Sequence, residues 1–228
     1  MRLQVTRIAA AAVLLGAAPA AAPPFAVGET LVYDAKLGLF PAGTARTTVE
    51  RLDTDRGDRV YVFGMTGSGG PPGLRAEYAM TSWTGIEPFT SRRFDRRVTL
   101  AGRTEEHRFQ IVPDSQRYRE VDGTQDWVAP SAPLDELAML YYLRTLDLSP
   151  GQSRSLRGYF RNGYNPVTVR AVGSEPVRLG RGSTVACTHL RITAAGNTMD
   201  LWITDDAGKL PAQLDLPMTF GRVRLVLR

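Results

Sequence analysis

GETLVYDAKLGLFPAGTARTTVERLDTDRGDRVYVFGMT, Gly28–Thr66, is the stretch whose reading decides the fold class. Thr30 to Leu39 and Gly43 to Leu52 alternate apolar and polar residues and read as a first strand pair, turned around Pro41-Ala42-Gly43. Arg59 to Thr66 then sets Val60, Val62 and Met65 or Gly64 against polar neighbours, after the turn-forming run Thr54-Asp55-Arg56-Gly57-Asp58. Alternation at period two, broken by Gly, Pro and Asp, puts one face of each segment into a core and the other into solvent. A helix would need apolar spacings of three and four.

The same logic runs outward along the chain. Leu74 to Trp83, Pro88 to Leu100, Gln152 to Phe160, Pro166 to Gly173, Thr184 to Ala194, Thr198 to Thr204 and Thr219 to Arg228 keep the two-residue period. Ser68-Gly69-Gly70-Pro71-Pro72-Gly73 is the strongest breaker cluster and reads as a surface loop, because a phosphate cradle needs a following helix N-terminus. Arg161-Asn162-Gly163-Tyr164 places Asn-Gly between two strand patterns and predicts a two-residue hairpin turn. Asp205-Asp206-Ala207-Gly208 predicts another turn, and Pro211 confines its strand to an edge or a terminus.

One segment departs from this. Ser131-Ala-Pro-Leu-Asp-Glu-Leu-Ala-Met-Leu-Tyr-Tyr-Leu-Arg144 opens on a capping residue, has proline in its first turn and carries Asp135 and Glu136 where the helix dipole favours acids. Leu134, Leu137, Leu140 and Tyr141 then recur at helical spacing. The expectation is an all-β chain, a long curled antiparallel sheet or open β-barrel, with one short α-helix at about 132–146. Its apolar stripe would pack on the sheet, with Tyr141 or Tyr142 against it.

The N-terminal residues predict an address. Arg2 and Arg7 precede an apolar run from Ile8 to Ala18, followed by small residues at Ala18-Pro19-Ala20 and Ala20-Ala21-Ala22. This order reads as a cleaved secretory signal over residues 1–22, ahead of a single β-rich domain over 23–228. The run is too short to span a bilayer. A periplasmic or secreted protein without a transmembrane segment is expected.

Removing Arg2 and Arg7 from 28 basic residues leaves 26 against 23 acidic, a net of +3. That mild charge, carried almost wholly by arginine and interspersed with acids, does not mark a nucleic-acid partner. The densest basic stretch is Arg92, Arg93, Arg96 and Arg97, with Arg103 and Arg108 close behind. On a strand Arg93 and Arg97 share a face with Asp95, while Arg92, Phe94 and Arg96 share the other. The stretch reads either as a solvated face paired with Glu105 and Glu106 or as a patch for anionic lipid or polysaccharide.

Cys187 is the sole cysteine, so no internal disulfide can form. It could pair with His189 as a nucleophile, two residues along one strand, but a small buried core residue is the plainer reading. His107 and His189 are the only histidines, too few for a zinc set, and Asp205 and Asp206 alone do not make a calcium loop. Asp135, Glu136, Asp205 and Asp206 are the carboxylates a hydrolase could use, yet helix start and turn already account for them. No cofactor, metal or catalytic constellation is expected.

Three stretches carry a resemblance: Gly28-Glu29 through Tyr33 with Ala42-Gly43-Thr44-Ala45, the helix Leu134-Asp135 through Arg144, and Leu201-Trp202-Ile203-Thr204-Asp205-Asp206 running to Leu210-Pro211. In this order they resemble the bacterial exported-protein family known as domain of unknown function 3108. The resemblance covers nearly the whole mature chain and implies an envelope protein with one β-rich domain, with no catalytic residues to carry over. The layout is more loosely similar to periplasmic lipoprotein-carrier folds, whose concave face holds acyl chains. The expectation is therefore a non-enzymatic binding or scaffold protein, holding a lipid-like apolar molecule or working with another envelope protein. Arg92, Arg93, Arg96, Arg97, Tyr141, Tyr142 and Trp202 are the candidate ligand or anion contacts.

Overall fold

A computed structural model of the chain describes residues 22–70, 75–156, 158–218 and 221–228. The order is β1 (Thr30–Leu37), β2 (Phe40–Asp55), β3 (Asp58–Gly69), β4 (Ala76–Gly85), β5 (Ser91–Leu100), β6 (Arg103–Val112), β7 (Arg117–Glu120) and β8 (Asp126–Val128). Then come α1 (Glu136–Arg144), β9 (Ser153–Ser155), β10 (Val167–Arg178), β11 (Thr184–Ala194), β12 (Asn197–Thr204), β13 (Pro211–Met218) and β14 (Gly221–Leu227). The strands form one antiparallel sheet in the order β8-β7-β6-β5-β4-β3-β2-β1-β14-β13-β12-β11-β10-β9. Each strand pairs with its neighbour in sequence except at the centre, where β1 meets β14 with Tyr33 opposite Leu227. The ends of the chain therefore hold the middle of the sheet, and its middle supplies both edges and the helix between them.

The sheet does not close, but it curls round α1. Leu137 and Tyr141 pack on Val49 of β2 and Phe63 of β3, whereas Ala138, Met139, Leu140 and Leu143 join a cluster with Val169, Leu190, Leu201, Leu214 and Leu225 from β10 to β14. A helix wrapped in this way needs more than one apolar stripe, and Leu137 through Tyr141, Leu143 and Arg144 are all buried. Between the sheet's edges, Phe160 sits among Phe94, Phe109 and Tyr118, and Leu134 bridges to Tyr159. The two connections flanking α1 thus pack where the edge strands do not pair.

Register also sorts the turns. Gly38–Leu39, Ala101–Gly102 and Ala195–Gly196 lie at one end of the sheet, called the mouth below. Arg56–Gly57 and the connections over 86–90, 113–116, 179–183 and 205–210 lie at the other, the base.

Most of the sequence-based strands stand; β11 falls on Thr184–Ala194 as expected. Four local expectations are corrected. The first turn is at Gly38–Leu39, where Gly38 takes a positive φ, and Phe40 to Gly43 already belong to β2. The helix starts at Glu136, because Ser131 to Leu134 are committed elsewhere: Pro133 O accepts from Ser91 N, and Leu134 exchanges main-chain bonds with Gly158 and Phe160. Asn162-Gly163 is part of a short 3-10 turn over Asn162–Tyr164 and not a two-residue hairpin. The Asn165 side chain pairs with both main-chain groups of Tyr159, at 2.8 and 2.9 Å, and Phe160 is drawn into its aromatic cluster. The strand read over Gln152 to Phe160 shrinks accordingly to β9. The signal-like run Ile8 to Ala18 and the Pro71–Gly73 part of the breaker cluster lie outside the described residues. Among the described residues no helix is long and apolar enough to cross a membrane.

Candidate functional site

The inner face of the curled sheet is the concave surface of the molecule, and α1 lies across it. The helix is fixed at both ends by buried polar chemistry. At its start the Asp135 carboxylate caps the orphan amides of Leu137 (2.9 Å) and Ala138 (3.0 Å) and accepts from Ser82 Oγ (2.6 Å) and Ser91 Oγ (2.7 Å). Ser91 Oγ in turn accepts from the Asp135 amide, and Ser82 shares a 2.8 Å hydrogen bond with Thr84. Burial pushes the Asp135 carboxyl up to about 6, against the pull of those hydrogen bonds.

At the helix end Arg144 is 1% exposed. Its Nη1 and Nη2 donate to the two oxygens of Glu29 at 2.6 and 2.9 Å. Nη2 also reaches Pro24 O (2.8 Å) and Gly208 O (3.0 Å), and Nε donates to Lys209 O (3.0 Å). One guanidinium therefore ties the N-terminal segment, the helix and the β12–β13 turn together. These are the same three stretches on which the sequence resemblance rests. Phe25, held over Arg144 at 5.4 Å and against Tyr141 at 5.1 Å, packs beneath the helix at the base.

Toward the mouth the inner face changes character. The next inward position on strand after strand is apolar yet only half-buried: Met65 beyond Phe63, Met80 beyond Ser82, Met199 beyond Leu201, Leu216 beyond Leu214 and Val223 beyond Leu225. This is an accessible apolar wall with flexible thioethers on both halves of the sheet, the type of surface that adapts to acyl chains or other irregular apolar shapes. Among the described residues, the buried Nε of Arg96 and Oε2 of Glu136 have no hydrogen-bond partner. Burial raises Glu136, against Tyr159, Arg96 and Arg161 nearby. The hydroxyls of Tyr33 and Tyr141 are pushed well above their ordinary range, again chiefly by burial.

The sequence-based candidates scatter. Tyr141 is buried in the helix packing, with its ring 3.9 Å from Phe63, and Tyr142 lies beside Phe89. Arg96 faces inward, at the register position of Met80. Arg92 is displaced by an irregularity in the β4–β5 register and pairs with Asp55 and Asp58, Arg93 pairs with Asp95 above the Trp83 ring, and Arg97 pairs with Glu106. Arg97 also lines a cleft of about 480 Å³ on the outer face, with Arg46, Arg228, Thr66, Ser68 and Glu77. Trp202 is on the outer face as well, donating to Glu175 (2.9 Å) and stacked on His189 at 4.3 Å. The pairing of Glu29 with Arg144, 115 positions apart, has no local signal in the sequence.

Nucleophilic chemistry at Cys187 finds no support in the geometry. Burial, with Asp205 and Asp206 nearby, pushes its thiol up to about 11. The His189 nitrogens are engaged by Glu175 (3.1 Å) and Asp200 (2.8 Å). Asp205 and Asp206 serve the turn: Asp206 accepts from Gly208 N (2.8 Å), and Asp205 from Thr188 (2.7 Å).

No curated protein matches the chain. Among solved structures it is similar to a beta-barrel-like protein of domain of unknown function DUF1849 from Brucella abortus, at 10% identity and a TM-score of 0.53, over 87% of this chain and 94% of that one. The likeness is one of fold. The family model described as a protein of unknown function, DUF3108, matches residues 32–228, which hold nearly all of the sheet and the helix it wraps, and the chain therefore belongs to the DUF3108 family.

Proposed function

We propose that this chain is a non-enzymatic binding protein of the bacterial cell envelope, exported by its N-terminal signal, and that the mouth half of its inner face holds an acyl-chain amphiphile. The observation that carries this reading is the half-buried wall of Met65, Met80, Met199, Leu216 and Val223 above a helix fixed at both ends. An apolar wall left accessible to water gains nothing for the fold, and a ligand that covers it is stabilised by about 25 cal/mol per Å² of apolar area buried. Arg96, with an unpartnered buried Nε at the border of the wall, suits an anionic head group.

Uptake of a fluorescent fatty acid by delipidated protein tests the reading. Met199→Glu and Leu216→Glu, each placing a charge on the wall, are expected to weaken uptake by roughly tenfold or more, since an unpaired charge in an apolar site is costly. Wild-type protein that takes up none, or variants that bind as well as wild type, would overturn it. A second reading, an anionic polysaccharide in the outer cleft with Arg46, Arg97 and Arg228, rests on that cleft's volume and charge. It requires binding that falls steeply with salt.

A further inference from the structure

The turns at the two ends of the sheet differ in chemistry. At the base, Asp55 and Asp58 flank the β2–β3 turn, Glu87 lies in the β4–β5 connection, Asp114 in the β6–β7 connection, and Asp205 and Asp206 in the β12–β13 turn. At the mouth the tight turns Gly38-Leu39, Ala101-Gly102 and Ala195-Gly196 hold no carboxylate, and of the exposed acids on this half Glu77, Glu106 and Asp122 are paired with Arg75, Arg97 and Arg108. The β1–β2 tip carries the two most exposed large apolar side chains among the described residues, Leu39 at 94% and Phe40 at 77%, and Leu100 beside the β5–β6 tip is 42% exposed. Lys36 and Arg103, both exposed, flank these two tips.

Two adjacent apolar side chains held almost wholly in water at the end of a hairpin contribute nothing to the core, and they cost solubility unless something covers them. Aromatic and aliphatic tips that are themselves free of acids and flanked by cations match the interface of an anionic bilayer, where apolar groups enter the headgroup boundary and cations meet phosphates. We propose that the mouth end is a membrane-docking surface, in which Leu39 and Phe40 enter an anionic phospholipid bilayer while Lys36 and Arg103 sit at its headgroup phosphates. The docked end is the one toward which the apolar inner wall opens, yet docking does not depend on that wall binding a ligand.

Flotation of the purified mature protein with phosphatidylglycerol-containing vesicles tests this. Wild type is expected to float with them and less well with purely zwitterionic vesicles, and Leu39→Asp with Phe40→Asp to weaken association by about tenfold or more. Because both side chains are exposed, the double variant should keep its near-ultraviolet circular dichroism. Asp205→Asn with Asp206→Asn, at the base, should float like wild type. Wild type that stays with the soluble fraction, or a folded double variant that floats undiminished, overturns the proposal. Self-association of wild type through these tips without vesicle binding does so as well.

Discussion

At the scale of single residues the molecule depends on Arg144. A guanidinium offers five N–H donors in a fixed fork, and here they meet one carboxylate and three carbonyls from distant parts of the chain. Arg144→Met would leave Glu29 partly buried without its cation and those carbonyls without a donor. The expected cost is about 3–5 kcal/mol in urea unfolding, and Arg144→Lys should recover only a small part, having too few donors in the wrong geometry. A loss under about 1 kcal/mol would show that the pair is dispensable. This residue also marks the reach of sequence reasoning. Glu29 and Arg144 are 115 positions apart, and neither breaks a local pattern, so their partnership becomes visible only when β1 and β14 meet at the centre of the sheet.

At the scale of elements the helix start is the most sensitive point. Asp135 carries the cap, and its carboxyl, ordinarily at 3.8, is pushed up to about 6 chiefly by burial. The folded state therefore binds the proton more tightly than the unfolded chain, and stability from this group is full below its ordinary value and lost as pH rises through about 6. The stability of wild type minus that of Asp135→Asn should accordingly rise on going from neutral to acid pH, by up to roughly 3 kcal/mol. Paired urea titrations check this, and a difference that does not vary with pH would contradict it. Here the sequence was legible in kind but not in position. Acids near a helix start were evident, whereas Pro133 and Leu134 were lost to the helix because tertiary main-chain bonds to Ser91, Gly158 and Phe160 outcompete local propensity. Asn162-Gly163 failed as a hairpin for a related reason: the side chain of Asn165 closes its loop and Phe160 has a better place in the aromatic cluster.

For the whole molecule, period two and turn residues were enough to read an all-β chain with one helix, because each half-buried strand writes its burial into alternation. They could not show that the sheet would wrap the helix on several sides, since Arg144 and the helix's second apolar face look like ordinary surface and stripe in one dimension. Nor could they separate Trp202, on the outer face, from the inner wall, because both faces of these strands bury large side chains. The proposed function at this scale is that the inner wall holds an amphiphile in the cell. It is tested most directly by native mass spectrometry of the mature protein purified from its own envelope, followed by organic extraction. An added mass at one-to-one stoichiometry is expected, extracted as an acyl-chain lipid and absent from Met199→Glu protein. A wild-type mass equal to that of the bare mature chain, with no lipid in the extract, would contradict it.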